Sequence, residues 1–256
     1  MNNGVITIAT HKEIYYHWSE VLFKSILQHT NIDFALVYDN EEWYQKYNLN
    51  TLIKYPIYRK DIDNPYLYKY KLIEVTPFDN TIFFDADTII FKDISDLFEK
   101  QAFSVCSEWD EKYLYNDFSF VQNPKEIVDT YKLKKLYSIY SGFLRFEKTD
   151  FYKKLYKNVL KNEHHNDKIF KQYNRGVMPD EFFLNITTSD LELKRFIPIQ
   201  LYYIEGIIDN TYGYSFQGNP KIKHPQIMKE IKKTISSLNI NIHIYNEIIK
   251  YESKLF

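Results

Sequence analysis

The sequence predicts an α/β fold with a mostly parallel central sheet and helices on both faces. Two observations predict it. Short, β-branched apolar runs recur at Val5 to Ala9, Asp33 to Tyr38 and Thr81 to Phe84. Helical patterns lie between them, from His11 to His29 and from Tyr66 to Glu74. Strands alternating with helices form a sheet that is covered on both sides. Ligands of such sheets bind beyond the carboxyl ends of the strands. That rule gathers Thr10-His11, Asp39 and Asp85-Ala-Asp87 at one rim.

Each element has its own warrant. Val5-Ile-Thr-Ile-Ala9 is a compact apolar run, hence a first strand. Trp18, Val21, Leu22, Ser25 and Ile26 then follow at helical spacing. Asp33-Phe-Ala-Leu-Val-Tyr38 is a second strand. The Tyr66 to Glu74 helix stops before Pro77, which disfavours helix at the residue ahead of it. The next buried run, Thr81 to Phe91, opens as a strand over Thr81 to Phe84, with the two acids Asp85 and Asp87 at the end of that strand. Farther on, Phe103 to Cys106 and Tyr140 to Phe146 read as strands. Thr149 caps a helix to about Leu160, with Phe151, Leu155 and Val159 on one face. Asp180 to Ile186 reads as a short helix, and Phe196 to Ile204 and Lys221 to His224 as strands. Helical spacing returns from Met228 to Ser237 and again from Tyr245. Glu108 to Asn123 and Glu163 to Gly176 are the expected mobile loops.

Composition narrows the function. The chain has 256 residues, 45% of them apolar and 26% charged, with a formal net charge of −1. This is the balance of a folded soluble protein. It provides no global positive field toward nucleic acid or an anionic membrane, although a local basic groove is compatible with it. The single cysteine, Cys106, can form no internal disulfide and reads as a buried structural thiol in a reducing compartment. The N-terminus lacks the basic and apolar stretches of a signal peptide. No run approaches the ~18 apolar residues of a membrane span. The expectation is a cytoplasmic protein, in which the Asn185-Ile-Thr187 acceptor pattern for glycosylation is fortuitous. Tyrosine (24) and phenylalanine (19) are abundant enough to offer aromatic platforms to sugar rings.

Two Asp-x-Asp segments occur. Asp61-Ile-Asp63 has no strand ahead of it and reads as solvated acids. Asp85-Ala-Asp87 follows four apolar residues. Side chains two apart on extended backbone project to one side. Two carboxylates held together repel, and a divalent cation relieves that repulsion. Hard oxygen ligands favour Mn²⁺ or Mg²⁺. A strand ending in solvated acids before a turn is the plain alternative. A haloacid-dehalogenase-type phosphatase would place threonine or valine one residue beyond Thr88, where Ile89 stands. Sugar transfer instead uses the cation to neutralise charge on a leaving nucleotide diphosphate.

The stretch from Tyr70 to Phe98 resembles the glycogenin-like glycosyltransferases. It has the Lys71-Leu72 pair opening a helix, the apolar strand, Asp85-Ala-Asp-Thr88 and then Asp96-Leu-Phe98. Weaker likeness extends over most of the chain. Thr7-Ile-Ala-Thr10 resembles the strand and loop that hold uridine and ribose, and Tyr15 falls near a tyrosine that stacks on the base. Ser141-Gly-Phe-Leu-Arg-Phe146 resembles the Asn-Ser-Gly strand lining the donor sugar, with Tyr140 in place of the asparagine. Pro179-Asp-Glu-Phe-Phe-Leu-Asn185 resembles a segment shared with the blood-group transferases, whose Glu attacks or stabilises the anomeric carbon. His224 falls where the family's strand ends in a metal-binding histidine, but the glycine and lysine that follow there are not in register here.

The resemblance implies a GT-A-like, retaining, metal-dependent hexosyltransferase with Mn²⁺ or Mg²⁺ and a nucleotide diphosphate sugar donor, a UDP-sugar above all. It implies one domain over 1–256. Residues 1–107 would form the nucleotide-sugar-binding half, 108–224 the acceptor and catalytic half, and 225–256 a helical tail. Metal ligands would be Asp85, Asp87 and His224. Donor contacts would come from Ala9, Thr10, His11, Tyr15, Lys71, Ala86, Ser141 and Gly142. Glu181, Asp180 and Lys71 would carry catalysis. A lysine opening a helix at the rim can place a point charge near a diphosphate, whereas most helix lysines are simply solvated. Acids in a first helical turn are good helix chemistry even without a catalytic role. The acceptor stays open among glycan, lipid, protein, metabolite and modified nucleic-acid base, and a homodimer is compatible with the sequence. Two rivals remain. One is a nucleotide-sugar-binding protein without catalysis. The other is a metal-dependent nucleotidyltransferase, which needs a Gly-rich loop where Ala9-Thr-His-Lys12 stands.

Overall fold

A computed structural model describes residues 2–99, 103–106, 124–134, 139–162, 180–190, 196–198, 211–215, 225–238 and 240. The strands are β1 (Asn3–Ala9), β2 (Asp33–Tyr38), β3 (Tyr55–Tyr58), β4 (Asn80–Phe84), β5 (Thr88–Ile90), β6 (Phe103–Cys106), β7 (Tyr140–Glu147), β8 (Phe196–Pro198) and β9 (Gly213–Ser215). The α-helices are α1 (Glu13–Leu27), α2 (Glu41–Lys46), α3 (Pro65–Tyr68), α4 (Leu72–Val75), α5 (Ser95–Glu99), α6 (Pro124–Tyr131), α7 (Asp150–Asn162), α8 (Asp180–Asp190) and α9 (Pro225–Ser237). A 3-10 turn, Lys69–Lys71, joins α3 to α4.

Seven strands form one sheet in the order β3-β2-β1-β4-β7-β6-β8. β1 pairs in parallel with β2 and β4, and β2 with β3. β7 runs antiparallel to both β4 and β6, and β6 pairs in parallel with β8. The predicted sheet is thus mostly parallel, with one reversed strand inside it. The reversal serves the rim. Phe84, the last residue of β4, pairs with Phe143, so the amino end of β7 arrives beside the carboxyl end of β4.

Period-two alternation sorts the apolar residues onto two faces. Val5, Phe34, Leu36, Ile82, Phe84 and Phe143 pack against Leu22, Phe23 and Ile26 of α1. Ile6, Ala35, Val37, Phe83, Leu144 and Phe146 pack against Leu155, Tyr156, Phe183 and Leu184 of α7 and α8. Helices therefore cover both faces, as the strand–helix alternation requires. A smaller cluster joins Val21 of α1 and Ile89 of β5 to Ile231 and Ile235 of α9.

Several expectations need correction. The strand expected over Thr81 to Phe84 is present as β4, but the buried run to Phe91 does not continue it. β4 stops at Phe84, and the Asp85 amide makes one last bond in the β4–β7 register, donating to Gly142 O at 2.8 Å, before the chain turns away. After the turn, Thr88–Ile90 joins a separate two-stranded sheet with β9. Gly213 permits that pairing, since a Cβ there would lie 2.3 Å from Ile89 O. The helix predicted at Tyr66 to Glu74 is interrupted by the 3-10 turn. β3 and α2 escaped prediction. β3 is a four-residue edge strand containing Pro56, and an edge is where a strand tolerates proline. α2 has six residues and starts on the Asn40 side chain, which accepts from Trp43 N at 3.0 Å. α8 runs past Ile186 to Asp190, and Thr187 and Thr188 turn their hydroxyls back onto Phe183 O and Leu184 O. α7 buries Leu155 and Val159 as expected, but Phe151 is exposed. The expected elements at Lys221 to His224 and beyond Tyr245 lie outside the described residues, as do both expected loops. Among the described residues no helix is long and apolar enough to cross a membrane.

Candidate functional site

The carboxyl ends of β1, β2 and β4 stand side by side, and the amino end of β7 completes the rim. Thr7 Oγ1 donates to Phe84 O at 2.6 Å and ties β1 to the last residue before the acids. Asp85 leaves the strand, and Ala86-Asp87 makes a turn. Both carboxylates are half-buried, and Ala86 between them in the chain is buried. They are thus brought together by a turn rather than by the extended backbone that the sequence suggested.

A buried lysine meets them. Lys69 has a side chain only 4% exposed, and its Nζ lies 3.3 Å from Asp85 Oδ1 and 3.1 Å from Ser141 Oγ. It also lies 3.4 Å from Ser141 O and 5.4 Å from the centre of the Phe83 ring. An ammonium taken out of water needs such partners, or its burial costs several kcal/mol. Ser141 in turn donates its amide toward Glu181 Oε1, at a long 3.4 Å. Asn185, one turn farther along α8, accepts from Ile139 N at 2.8 Å. Glu181 is held at the rim because its helix is pinned to the start of β7. Asn185 is buried, in keeping with a fortuitous glycosylation pattern. The structure thus joins Glu181, Ser141, Lys69 and Asp85 in one chain of polar contacts.

The neighbouring corner holds the loop after β1. Ala9 and Thr10 are buried. His11 is in the left-handed region with φ 66°, which costs a non-glycine residue roughly 1 kcal/mol. Its amide donates to Asp39 Oδ2 at 2.9 Å. Asp39 Oδ1 accepts from the Tyr16 hydroxyl at 2.8 Å, and the Tyr16 hydroxyl oxygen accepts from the amides of Asp39 and Asn40. Burial, then the hydrogen bond to Asp39, pushes the Tyr16 hydroxyl far above its usual range. Tyr16 stays a neutral donor, so the clamp on Asp39 and His11 is permanent at ordinary pH. Tyr15, one residue earlier, is half-buried. Its hydroxyl is pushed up first by burial, then by Tyr66, Asp87 and Asp85.

Of the residues singled out in the sequence, Asp85, Asp87, Ser141, Gly142, Ala86, Tyr15, Thr10 and Ala9 gather at this rim. His11 lies at the same rim, bound to Asp39. Lys71 does not join them. It is exposed, and Lys69 stands against Asp85 in its place. Residues 69 and 71 project about 120° apart around a 3-10 turn, and here Lys69 is the one turned inward while Lys71 stays exposed. Asp180 is the first residue of α8, and its side chain lies outside the described residues, as does all of His224. Sequence reasoning missed Lys69 and Tyr16. The helical pattern around Lys69 and Lys71 does not say which lysine turns inward.

The donor set suits a hard divalent cation. Asp85 and Asp87 offer carboxylate oxygens from one turn, and Lys69 approaches Asp85 at a distance long for a charge-assisted bond. Among the described residues no group of three or more His, Cys, Asp and Glu side chains forms a complete metal cluster. Further ligands would have to come from beyond those residues or from a substrate.

Sheet order, the covered faces and the rim define a GT-A-like α/β fold, the class found in solved glycosyltransferases. The galactosyltransferase LgtC, in complex with donor and acceptor sugar analogues, superposes with a TM-score of 0.62 at 12% identity, over 92% of this chain and 96% of that one. An active-site mutant of LgtC gives 0.62 at 13% identity with the same coverage. The apo structure of the bifunctional glycosyltransferase WbbM gives 0.57 at 11% identity, over 90% of this chain and 51% of that one. The chain thus spans about half the length of WbbM and nearly all of LgtC. At these identities the likeness is one of fold. No protein-family model matches the chain, and no curated protein matches it in sequence.

Proposed function

We propose that the chain is a metal-dependent, retaining glycosyltransferase that moves a hexose from a nucleotide diphosphate sugar, above all a UDP-sugar, to an acceptor hydroxyl. One observation carries the reading. Lys69 links Asp85 to Ser141, and Ser141 links on to Glu181, at the carboxyl rim of a GT-A-like sheet.

Each residue has a task in that reaction. Asp85 and Asp87 would hold Mn²⁺ or Mg²⁺, which supplies Lewis-acid neutralisation of the donor diphosphate. Lys69 adds a fixed positive charge where negative charge grows on the leaving group. Tyr15 offers a ring for the base, and the strained His11 loop presents backbone and imidazole to the nucleoside. Ser141 and Gly142 line the sugar side. Glu181 faces the anomeric carbon and stabilises an oxocarbenium-like state, as carboxylates do in retaining glycosidases.

The test is hydrolysis of UDP-glucose and UDP-galactose by the purified protein, with Mn²⁺ and with chelator, beside thermal-shift measurements on the same ligands. Metal-dependent turnover that disappears in Asp87→Asn is the expected result. Metal-dependent binding without turnover on any acceptor would favour the binding-protein reading. Absence of both with every nucleotide sugar overturns the proposal.

A further inference from the structure

The chain is nearly neutral, yet one helix carries a concentrated positive face. α7 has lysines at 153, 154, 157 and 161, all exposed. At 3.6 residues per turn these four fall within an arc of about 100° and along about 12 Å of helix. Tyr152, Leu155, Tyr156 and Val159 occupy the opposite side and are buried in the core. Tyr156 is wedged between Tyr70 and Phe146, with ring centres at 5.6 and 5.4 Å. α7 therefore cannot roll, and its lysine face is fixed outward. Asp150 is the only acid of the helix and meets Lys153 at 3.9 Å. Among the described residues no carboxylate pairs with Lys154, Lys157 or Lys161. Phe151 flanks the lysine arc and is 47% exposed.

We infer that this face of α7 docks the protein on an anionic lipid bilayer. A straight, convex row of lysine point charges matches a plane of lipid phosphates. Lysine stems lie along apolar surface while their heads stay in water. Phe151 supplies the apolar side chain that an interfacial helix inserts at the level of the headgroups. A nucleic-acid duplex would match the charge but leave Phe151 without an apolar partner. The inference stands apart from the transferase reading, because it concerns where the protein sits and needs no turnover. Where both hold, α7 also braces the turn that carries Lys69, so docking would bring the candidate site to acceptors presented at a membrane.

The experiment is co-sedimentation of the purified full chain with vesicles of phosphatidylcholine and phosphatidylglycerol in equal parts, against phosphatidylcholine alone. Pelleting should require the anionic lipid and weaken steeply with salt. Each lysine contributes roughly fivefold near such a surface, so K153Q/K154Q/K157Q/K161Q together should cut partitioning on the order of several hundredfold. F151S should cut it by about tenfold with the charges intact. Both variants change exposed side chains, and an unchanged melting midpoint establishes that they fold. K24Q/K46Q, on α1 and α2 over the opposite face of the sheet, should bind as the parent does. Absence of pelleting, equal pelleting by the quadruple variant, or tighter binding to duplex DNA than to vesicles would each overturn the inference.

Discussion

Asp61-Ile62-Asp63 and Asp85-Ala86-Asp87 have the same acid spacing and opposite settings. In the first, both acids are exposed, and Ile62 between them is buried in the core as an anchor. In the second, both acids are half-buried, the residue between them is a small alanine, and a buried lysine faces one carboxylate. Spacing alone therefore says little. What separates the two is the strand that ends at Phe84 and the reversed strand that meets it there. The first segment places its charges in water, where they cost nothing and do nothing. The second holds charge in a partly dry corner, where it is stable only with partners and can act on a substrate.

The sharpest way to break this contrast is to neutralise each pair in turn. Asp87→Asn should lower metal-dependent turnover about a thousandfold or more, the scale for removing a group that offsets transition-state charge. Asp61→Asn with Asp63→Asn should leave turnover within about twofold and stability within about 0.5 kcal/mol, as exposed substitutions do. Rates of UDP-sugar hydrolysis with saturating Mn²⁺ check both. Equal losses from the two pairs would remove the structural distinction between them.

The two lysines of the 3-10 turn repeat the contrast at closer range. Lys69→Ala should lower turnover about a hundredfold. It should also destabilise the fold by about 2 kcal/mol, below the fully buried limit because Asp85 keeps some contact with solvent. Lys71→Ala, at an exposed position, should change either quantity little. Thermal midpoints and rates measured on both proteins would decide. A Lys71 effect that exceeds the Lys69 effect would restore the reading that the sequence pattern alone suggested.

These pairs show what was legible in the chain. The alternation of strands and helices, and the burial of the Phe84 strand end, follow from local apolar periodicity, which the sequence displays openly. The reversal of β7 does not, because Tyr140 to Glu147 has the same apolar character whichever way it runs. Burial of Lys69 is equally hidden. It depends on a 3-10 turn that rotates one lysine inward, and on Ser141 arriving from 72 residues away in the chain. Tyr16 escaped notice for a related reason. Its value lies in a hydroxyl that meets Asp39 across two elements, whereas its ring reads as ordinary core.

Asp39 is an acid of intermediate standing, half-buried but bound to backbone and tyrosine rather than turned to a ligand. Asp39→Ala strands the His11 amide and the Tyr16 hydroxyl together, at about 2 kcal/mol. His11 then has no reason to remain in its left-handed conformation. The expected signature is weaker donor affinity with a smaller effect on turnover of bound donor. Titration of UDP by calorimetry checks it, and unchanged affinity would mean that the loop needs no clamp.

Asp93 offers the mildest version of the contrast, an exposed acid with a structural task. Its Oδ1 accepts from Ser95 N at 2.8 Å and from Thr30 Oγ1 at 2.8 Å, and Thr30 Oγ1 accepts from Ile94 N at 3.1 Å. The carboxylate thus joins the end of α1 to the start of α5. Hydrogen bonds from Ser95, then from Thr30, hold its carboxyl below the usual aspartate value. The sign follows directly. A depressed pKa in the folded state means that the charged form is favoured by folding. Its stabilisation is complete above the ordinary aspartate pKa, near 4, and declines as pH falls through the lower folded value. Asp93→Ala should cost about 1 kcal/mol at neutral pH, the scale of a lost helix-start acceptor. The difference in melting midpoint between variant and parent should narrow as the pH is lowered from 5 toward the acid limit of the fold. A difference that stays constant over that range would show that Asp93 contributes through its shape and not through its charge.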